Sequence, residues 1–475
     1  VTAAPPLEAL RGVLSGTDAW LVGGSVRDRL LDRPTFDLDV AIAADTKGAA
    51  RALARRVDAP VFPLSEAFGS WRVIARDHSW QVDLTPLAAA TIEEDLGQRD
   101  FTINAIAEPL AGGDLVDPFG GRADLGAGRL RMVSASAFAA DPLRTLRLPR
   151  LAAELELEVE GATGDAARRV APALAGVAAE RIFAELKRIV AGDAALRGLE
   201  LMLALGVTRE ILPELADLRG VEQSAYHHLD VYEHTMTALG ETLALERSGW
   251  EILGEHGPAV AALLEEPLAD ELTRGQALRL GVLLHDIAKP RTRSVSAKGR
   301  VMFLGHDAAG AELARDILAR LRASERLRAH VSALTRHHLR LGFLVHERPL
   351  TRRAIYRYLR TTDPVEVDVT LLSVADRLAT RGARSDEAIA LHLDVARELV
   401  GQGLRWRAGR PPPIVRGDEL ARSLRMRPGP ELGVLLGELE EAAFAGEVST
   451  PAEAVALARV LVGRREEVGR REDGG

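Results

Sequence analysis

The stretch LVGGSVRDRLLDRPTFDLDVAI, Leu21 to Ile42, decides how this chain is read. Gly23 and Gly24 follow a short apolar run and precede SVRDRLL, which has the make-up of a helix start. Glycines after a strand let backbone approach a ligand, and the amides of a helix start face an anion. Asp37 and Asp39 then stand two residues apart in an apolar strand pattern. At that spacing both carboxylates project from one face. Paired carboxylates favour a hard cation such as Mg²⁺, which also takes phosphate oxygens as ligands. An isolated pair fits equally well the acidic protection of an edge strand. The glycine turn just upstream shifts the reading towards two metal ions held against a nucleoside triphosphate. One ion would help activate an attacking hydroxyl and the other would steady the departing pyrophosphate.

Outward from this stretch, residues 18–135 alternate short apolar runs with turns: AWLVGG, FDLDVAIA, WRVIA, WQVDLTPL and GDLVDPF read as strands. From about residue 136 the pattern turns helical, as in AERIFAELKRIVA and AELARDILARLRA, with apolar residues three and four apart. GLRWRAGRPPPIVRGDEL (403–420) reads as a linker, because three successive prolines cannot continue a helix. ELGVLLGELEEAAFAGEV and PAEAVALARVLVGRREE after it read as two terminal helices.

The chain has 475 residues, more than one hydrophobic core usually serves, so several domains are expected. It has no cysteine, which excludes disulfides and thiolate metal sites. No basic leader and no apolar run long enough to span a bilayer is present, which predicts a cytoplasmic enzyme with no membrane partner. Net charge is −8, so a polyanionic partner must meet local basic patches. Basic residues are nearly all Arg, with Lys only at positions 47, 187, 289 and 298. Arg suits bidentate phosphate contacts, though GC-rich coding gives the same bias.

Three further segments follow in order: QRDFTINAIAEPL (98–110), DPFGG (117–121) and ADPLRTLRLPRLAAEL (140–155). The last places Asp141 and Arg144 three apart, with Arg147 and Arg150 at further three-residue steps on one predicted helical face. An acceptor beside a fork of donors reads the hydrogen-bonding edge of a base, worth roughly 1–3 kcal/mol per good bidentate pair. Alone, the same pattern is a solvated Arg stripe with an N-terminal cap.

Together the four segments resemble the class II tRNA nucleotidyltransferases, the family of CCA-adding enzymes and bacterial poly(A) polymerases within the polymerase-beta superfamily. The resemblance rests on Gly23, Gly24, Arg27, Asp28, Asp37 and Asp39, on Arg99, Asp100 and Asn104, and on Asp141 and Arg144. It implies an α+β fold, in which a nucleotidyltransferase head with a small mixed or antiparallel sheet is followed by a mostly α-helical neck and body. It also implies that the terminal hydroxyl of a tRNA acceptor end attacks the α-phosphate of CTP or ATP, with two Mg²⁺ on Asp37 and Asp39. Asp83, in WQVDL, would be a third carboxylate. Asp141 and Arg144 would pair with the incoming base, with Arg147 and Arg150 beside them. Addition of CCA from CTP and ATP is the leading expectation.

Two departures raise the alternative, addition of CC only. Members that add CCA usually carry an acid just before the template Asp, where this chain has Ala140. Their flexible loop follows the strand with the third carboxylate, and here only about fifteen residues separate Asp83 from RDFTINA. The net charge and the lack of a strongly basic tail argue against a poly(A) polymerase.

A second set lies mid-chain: His234 in DVYEHTM, His285 and Asp286 in LLHDIAKP, His306 in FLGHD, His337 and His338 in TRHHLRL, and Asp376 in VADRLATRG. Imidazoles and carboxylates suit a divalent transition metal, and several helices can converge them. Their order resembles the HD phosphohydrolase superfamily, which implies ligands His234, His285, Asp286, His306, His338 and Asp376 for a transition metal or Mg²⁺. His338 fits that pattern better than His337. The resemblance implies 2′,3′-cyclic or terminal phosphates as substrates. The expected division is a head at 1–135, a neck and body at 136–222 that binds tRNA, an HD domain at 223–400, and a linker and helical tail at 401–475. In the tail, Arg416, Arg422, Arg425 and Arg427 fit phosphate contacts or a solvated helix face equally well. The other reading, from a different class, is an HD phosphohydrolase whose head only binds RNA.

Overall fold

The computed structural model describes residues 6–65, 68–223, 229–380 and 385–472, excepting the side chains of 385 and 466–472. The chain divides into two compact units, Val1–Ile211 and Leu212–Gly475.

In the first unit six strands form one sheet: β1 (Ala19–Val22), β2 (Asp37–Ile42), β3 (Val61–Ser65), β4 (Ser70–Ile74), β5 (Gln81–Pro86) and β6 (Ala107–Pro109). Their order is β3-β4-β5-β2-β1-β6. β2 and β5 run parallel, and every other neighbour pair is antiparallel, so the sheet is mixed. Helices α1 (Leu7–Val13), α2 (Gly24–Leu30), α3 (Thr46–Val57), α4 (Ile92–Leu96) and α5 (Gly121–Gly126) decorate it.

Strand alternation divides the sheet's two faces. Leu38, Val40, Ile42, Val73, Val82 and Leu84 point into a core with Leu10 of α1 and Leu53 of α3. The opposite face carries Asp37, Asp39 and Ala41. There Ala41 and Val22 pack on Ile92, Leu96 and Ala107. Residues of β2 thus divide cleanly into apolar anchors on one side and carboxylates on the other.

One strand expectation fails, and strands β3 and β6 were not expected. GDLVDPF is not a strand, and only an isolated bridge joins Val116 to Ala107. VFPLS, in contrast, is strand β3 despite Pro63, which is tolerated because β3 lies at the sheet edge.

The helices α6 (Ala137–Ala140), α7 (Arg144–Glu154), α8 (Gly161–Val170), α9 (Ala179–Ala191), α10 (Ala195–Ala204) and α11 (Val207–Ile211) complete this unit. Two two-residue strands, β7 (Arg129–Leu130) and β8 (Glu158–Val159), pair in parallel between them. Asp141 is not on the helix with Arg144. It adopts an extended conformation just before α7, and its carboxylate accepts from the Leu143 N–H at 3.2 Å.

The second unit is helical: α12 (Pro213–Ala216), α13 (Val231–Arg247), α14 (Gly257–Leu264), α15 (Arg274–Leu284), α16 (Lys289–Thr292), α17 (His306–Arg320), α18 (Glu325–His337), α19 (Arg340–Leu344), α20 (Arg352–Thr362), α21 (Glu366–Ala379), α22 (Ser385–Ala408), α23 (Gly417–Leu424), α24 (Pro430–Ala445) and α25 (Pro451–Glu472). Two small hairpins interrupt it, β9 (Pro267–Ala269) with β10 (Leu272–Thr273), and β11 (Ser294–Val295) with β12 (Val301–Met302). Capping boxes fix two starts: Asp230 with Glu233 opens α13, and Thr273 with Gln276 opens α15. Each satisfies donors that the helix itself leaves open. α13, α15, α18 and α21 pack around one core, with α17 against α18. The break after α22 is shorter than the sequence implies, because α22 runs through Trp406 to Ala408 and α23 begins at Gly417. Leu420, Leu435, Leu439 and Ala458 give α23–α25 their own small core. Among the described residues no helix is long and apolar enough to cross a membrane.

Candidate active site and a second candidate metal centre

β1 ends at Val22, and the chain turns at Gly23 with φ 71° and ψ −137°, a conformation that L side chains rarely adopt. A Cβ there would lie 2.9 Å from an Arg99 guanidinium nitrogen and 3.4 Å from Asp39 Oδ2. The backbone therefore favours glycine, and a side chain there would push the end of Arg99 aside. Gly24 opens α2, and Ser25 Oγ accepts the Asp39 N–H at 2.8 Å. This ties the helix start to the carboxylate strand. Ser25 was not singled out from sequence, although its place directly after the glycines was a signal.

In register, Asp39 on β2 faces Asp83 on β5. Burial raises the Asp39 carboxyl to about 6, with Asp83 and Asp37 pushing the same way and Arg99 opposing. Asp37 is also raised by burial, with Arg72 opposing and Asp83 adding. Two carboxylates on one strand face, each raised further by acidic neighbours, gain from a divalent cation, so Asp37 and Asp39 fit Mg²⁺, although with Asp83 they do not draw together as a group of three ligands. Asp83 is already engaged: Arg72 donates to both its oxygens at 2.7 Å each.

A cleft of about 380 Å³ adjoins this point, lined by Gly23, Asp39, Arg99, Asp100, Arg144 and Arg147 among others. Asp100 is buried at its floor. Its Oδ1 accepts from the Phe101 N–H at 2.8 Å and from Asn104 Nδ2 at 2.9 Å, and its Oδ2 pairs with Arg147 at 3.3 Å. Burial opposes ionisation, but Arg147 and these hydrogen bonds outweigh it and hold Asp100 below the usual carboxylate range. Arg144 is pinned by three carbonyls, donating to Gln98 at 2.6 Å, Ala137 at 3.0 Å and Arg99 at 3.1 Å. Asp141 pairs instead with Arg181 at 2.8 Å.

The structure does not gather every residue of the pattern in this cleft. Arg150 turns inwards onto Glu185 and donates to Glu154 at 2.7 Å. With Arg27, Asp28, Arg33 and Arg188 it lines a separate cleft of about 600 Å³. Arg27 bonds Asp28 at 2.8 Å and reaches Asn104 at 2.7 Å. Glu185, which joins Arg147 and Arg150, lies in AERIFAELKRIVA, where helical periodicity alone drew attention.

In the second unit six side chains converge as two triads, His234–His285–Asp376 and Asp286–His306–His338, with donor atoms inside each triad within 4.8 Å of one another. His285, His306 and His338 each set Nδ1 against a carbonyl, of Val282, Phe303 and Thr335, at 2.7 Å. The carbonyl fixes the Nδ1–H tautomer and leaves Nε2 as a lone-pair donor. His285 Nε2 is buried and makes no hydrogen bond, although Asp286 Oδ2 stands 3.1 Å away. His234 Nε2 meets Asp376 Oδ1 at 2.9 Å. Burial chiefly, with His285, lowers His338 to about 4, which keeps it neutral. For His285 burial pulls down, but the Asp286 charge prevails and holds it above its ordinary value. Orphaned imidazole nitrogen beside carboxylates fits a divalent transition metal. His337 points elsewhere and accepts from Arg340 at 3.0 Å. Lys289, in LLHDIAKP, pairs with Asp286 Oδ2 at 2.6 Å and lines the adjoining cleft of about 740 Å³. It was missed because one Lys after a His-Asp pair has no ligand spacing.

A mixed sheet presenting paired carboxylates beside a glycine turn, in one chain with a His/Asp helical centre, defines a nucleotidyltransferase with an HD domain. Residues 19–131 match the Poly A polymerase head domain family, 156–218 the family described as probable RNA and SrmB-binding site of polymerase A, and 253–381 the HD domain family. The chain is 38% identical to an A-adding tRNA nucleotidyltransferase of Deinococcus radiodurans, over 92% of this chain and 94% of that protein. It is 35% identical to a CC-adding tRNA nucleotidyltransferase of Thermus thermophilus, over 94% and 95%. A multifunctional CCA protein of Halorhodospira halophila is 34% identical over 70% of this chain and 76% of that one. The fold is also that of a Thermotoga maritima CCA-adding enzyme solved with tRNA, at a TM-score of 0.60 and 18% identity over 97% of each chain. The protein belongs to the class II tRNA nucleotidyltransferase and poly(A) polymerase family, in its HD-containing form.

Proposed function

We propose that the protein extends the 3′ end of tRNA from CTP, and that it stops after CC. Asp37 and Asp39 on one sheet face, beside the Gly23 turn, are the observation that carries nucleotidyl transfer. Bound Mg²⁺ would supply hydroxyl activation and pyrophosphate stabilisation. Gly23 and Gly24 leave room for phosphates, while Arg99 and Arg147 neutralise charge in the cleft. Asp141 and Arg144, each held in place, serve as the base-reading pair.

The stop at CC is supported by the short path from Asp83 to Arg99. It holds only the end of β5, a turn, and α4 with its Thr91 cap. Of two relatives matched over nearly their full length, one is a CC-adding tRNA nucleotidyltransferase, which accords with this reading, and the other is an A-adding one, which does not. One observation favours a second reading, complete CCA addition from CTP and ATP. Arg144 keeps a fixed guanidinium despite Ala140, because backbone carbonyls do the holding. Transcripts ending before CCA and ending in CC, incubated with Mg²⁺ and CTP, ATP or both, decide between them. Products ending in CC from the first, with the second unchanged, support the CC enzyme. CCA from both establishes the second reading.

The HD centre we assign to phosphate-ester hydrolysis, with His234, His285, Asp286, His306, His338 and Asp376 as ligands. Their converging nitrogens and oxygens support this.

A further inference from the structure

We infer that Phe62 is the platform on which a base of the single-stranded tRNA 3′ end stacks as that end reaches the carboxylates. This rests on the nucleotidyl-transfer reading above. Strand register places four residues in one row across the sheet. Asp39 faces Asp83, Asp83 faces Arg72, and Arg72 faces Phe62. Directly paired residues show their side chains to the same face. Phe62 therefore shares the face of Asp37 and Asp39, two strand spacings, ~10 Å, beyond Asp83.

The row also sets direction. On the other side of Asp39 lies Val22, and Gly23 after it opens the cleft with Arg99, Asp100, Arg144 and Arg147. Displacement at the α-phosphate needs the attacking hydroxyl and the leaving pyrophosphate in line, on opposite sides. A nucleotide in the glycine-side cleft leaves the β5–β4–β3 side for the RNA end. What stands on that side suits it. Phe62 is 41% exposed on an edge strand, and Phe68 is 76% exposed on the return of the same hairpin. Edge strands are normally blunted with charge, not with open aromatic rings. The Arg72 charge is taken up by Asp83, so the feature offered to RNA here is a ring face. Stacking on a ring tolerates any base, which suits a primer whose terminal residue changes with each addition.

The test places 2-aminopurine at the nucleotide preceding the CCA position of a tRNA and follows its fluorescence on binding. Initial rates of addition are measured alongside, with tRNA and CTP varied in turn. The wild-type protein quenches the probe. Phe62→Ala loses the quench and raises KM for tRNA roughly tenfold to a hundredfold, the loss of one stacking partner, while KM for CTP stays put. Phe62→Trp restores both, and Phe62→Leu restores neither. Unchanged quenching and KM in Phe62→Ala, or rescue by Leu as good as by Trp, overturns the proposal. Absence of nucleotide addition by the wild-type protein would instead overturn the transfer reading itself.

Discussion

Arg27 and Asn104 stand 77 positions apart, and the Arg27 guanidinium donates to the Asn104 side-chain oxygen at 2.7 Å. Asn104 passes its own N–H to Asp100, Asp100 takes Arg147, and Arg147 bonds Glu185. Glu185 joins Arg150, which bonds Glu154. One polar chain thus runs from the helix after the glycine turn to α7 and α9. Such a network rigidifies only when each member is satisfied, which makes its buried centre the sensitive point.

That centre is Asp100, and Asp100→Asn should lower stability at neutral pH by about 1–3 kcal/mol, the cost of unpairing a buried charged hydrogen bond. The folded carboxyl lies below its ordinary range. Its contribution is therefore complete above the unfolded value of about 3.9 and disappears as pH falls through the lower folded value. Urea unfolding of both proteins at pH 7 and in acid checks this. The gap between them should narrow in acid, and a gap that widens there contradicts the assignment.

Gly23→Ala is expected to damage activity more than folding. The backbone there costs an L residue about 1–3 kcal/mol, and the new Cβ would sit 2.9 Å from Arg99. Displacing Arg99 by an ångström should cut kcat/KM for nucleotide addition roughly a hundredfold. Shortening Arg99 in the same protein makes room, so the double variant should lose less than the two single losses combined. Strict additivity of the two effects would show that Gly23 and Arg99 act independently.

The sequence made the head legible where periodicity and turn residues agreed. β1, β2, β4 and β5 follow from apolar alternation, with Gly23 marking the exit from β1. It failed at β3, where Pro63 hides an edge strand, and at GDLVDPF, whose apolar residues make a bridge and no ladder. In the cleft, the motif residues Gly23, Asp39, Arg99, Asp100, Arg144 and Arg147 come together from segments far apart. Three-residue spacing misdirected Arg150, because two such steps fall about a third of a turn behind Arg144 at 3.6 residues per turn, and Glu185 holds its guanidinium away from the cleft. Arg72 and Lys289 were illegible for another reason. Their partners, Asp83 and Asp286, are set by tertiary register and side-chain reach, which spacing does not encode.

Arg274 and Asp368 form a buried fork, with two bonds of 2.6 Å and a further one from Arg274 to the Pro364 carbonyl at 2.8 Å. His330 lies 3.7 Å from Asp368, but burial lowers it to about 4, so it stays neutral and does not replace the Arg. Asp368→Ala should therefore destabilise the second unit by about 3–5 kcal/mol, because it strands a buried guanidinium. Replacing both residues with Leu and Met should cost far less than Asp368→Ala or Arg274→Ala alone. Denaturant melts of the single and double variants measure this, and equal losses in all three would show that packing, not charge pairing, holds the site.

The HD centre offers the sharpest separation of neighbours. His338 lies inside the triad with Asp286 and His306, with His306 Nε2 3.3 Å from its own Nε2, whereas His337 is bonded to Arg340 outside it. Elemental analysis of purified protein should find a transition metal in the wild type and in His337→Ala, and a loss of it in His338→Ala. Hydrolysis of a 2′,3′-cyclic nucleotide should follow metal content, because a metal held by these residues would supply the activation of water that such hydrolysis needs near neutral pH. His285→Ala and Asp286→Ala should abolish that hydrolysis while CTP incorporation into tRNA continues, since the two chemistries use different residues. If His337→Ala loses the metal while His338→Ala keeps it, the ligand set is wrong. If all of these variants keep both metal and hydrolysis, the activity arises elsewhere in the chain.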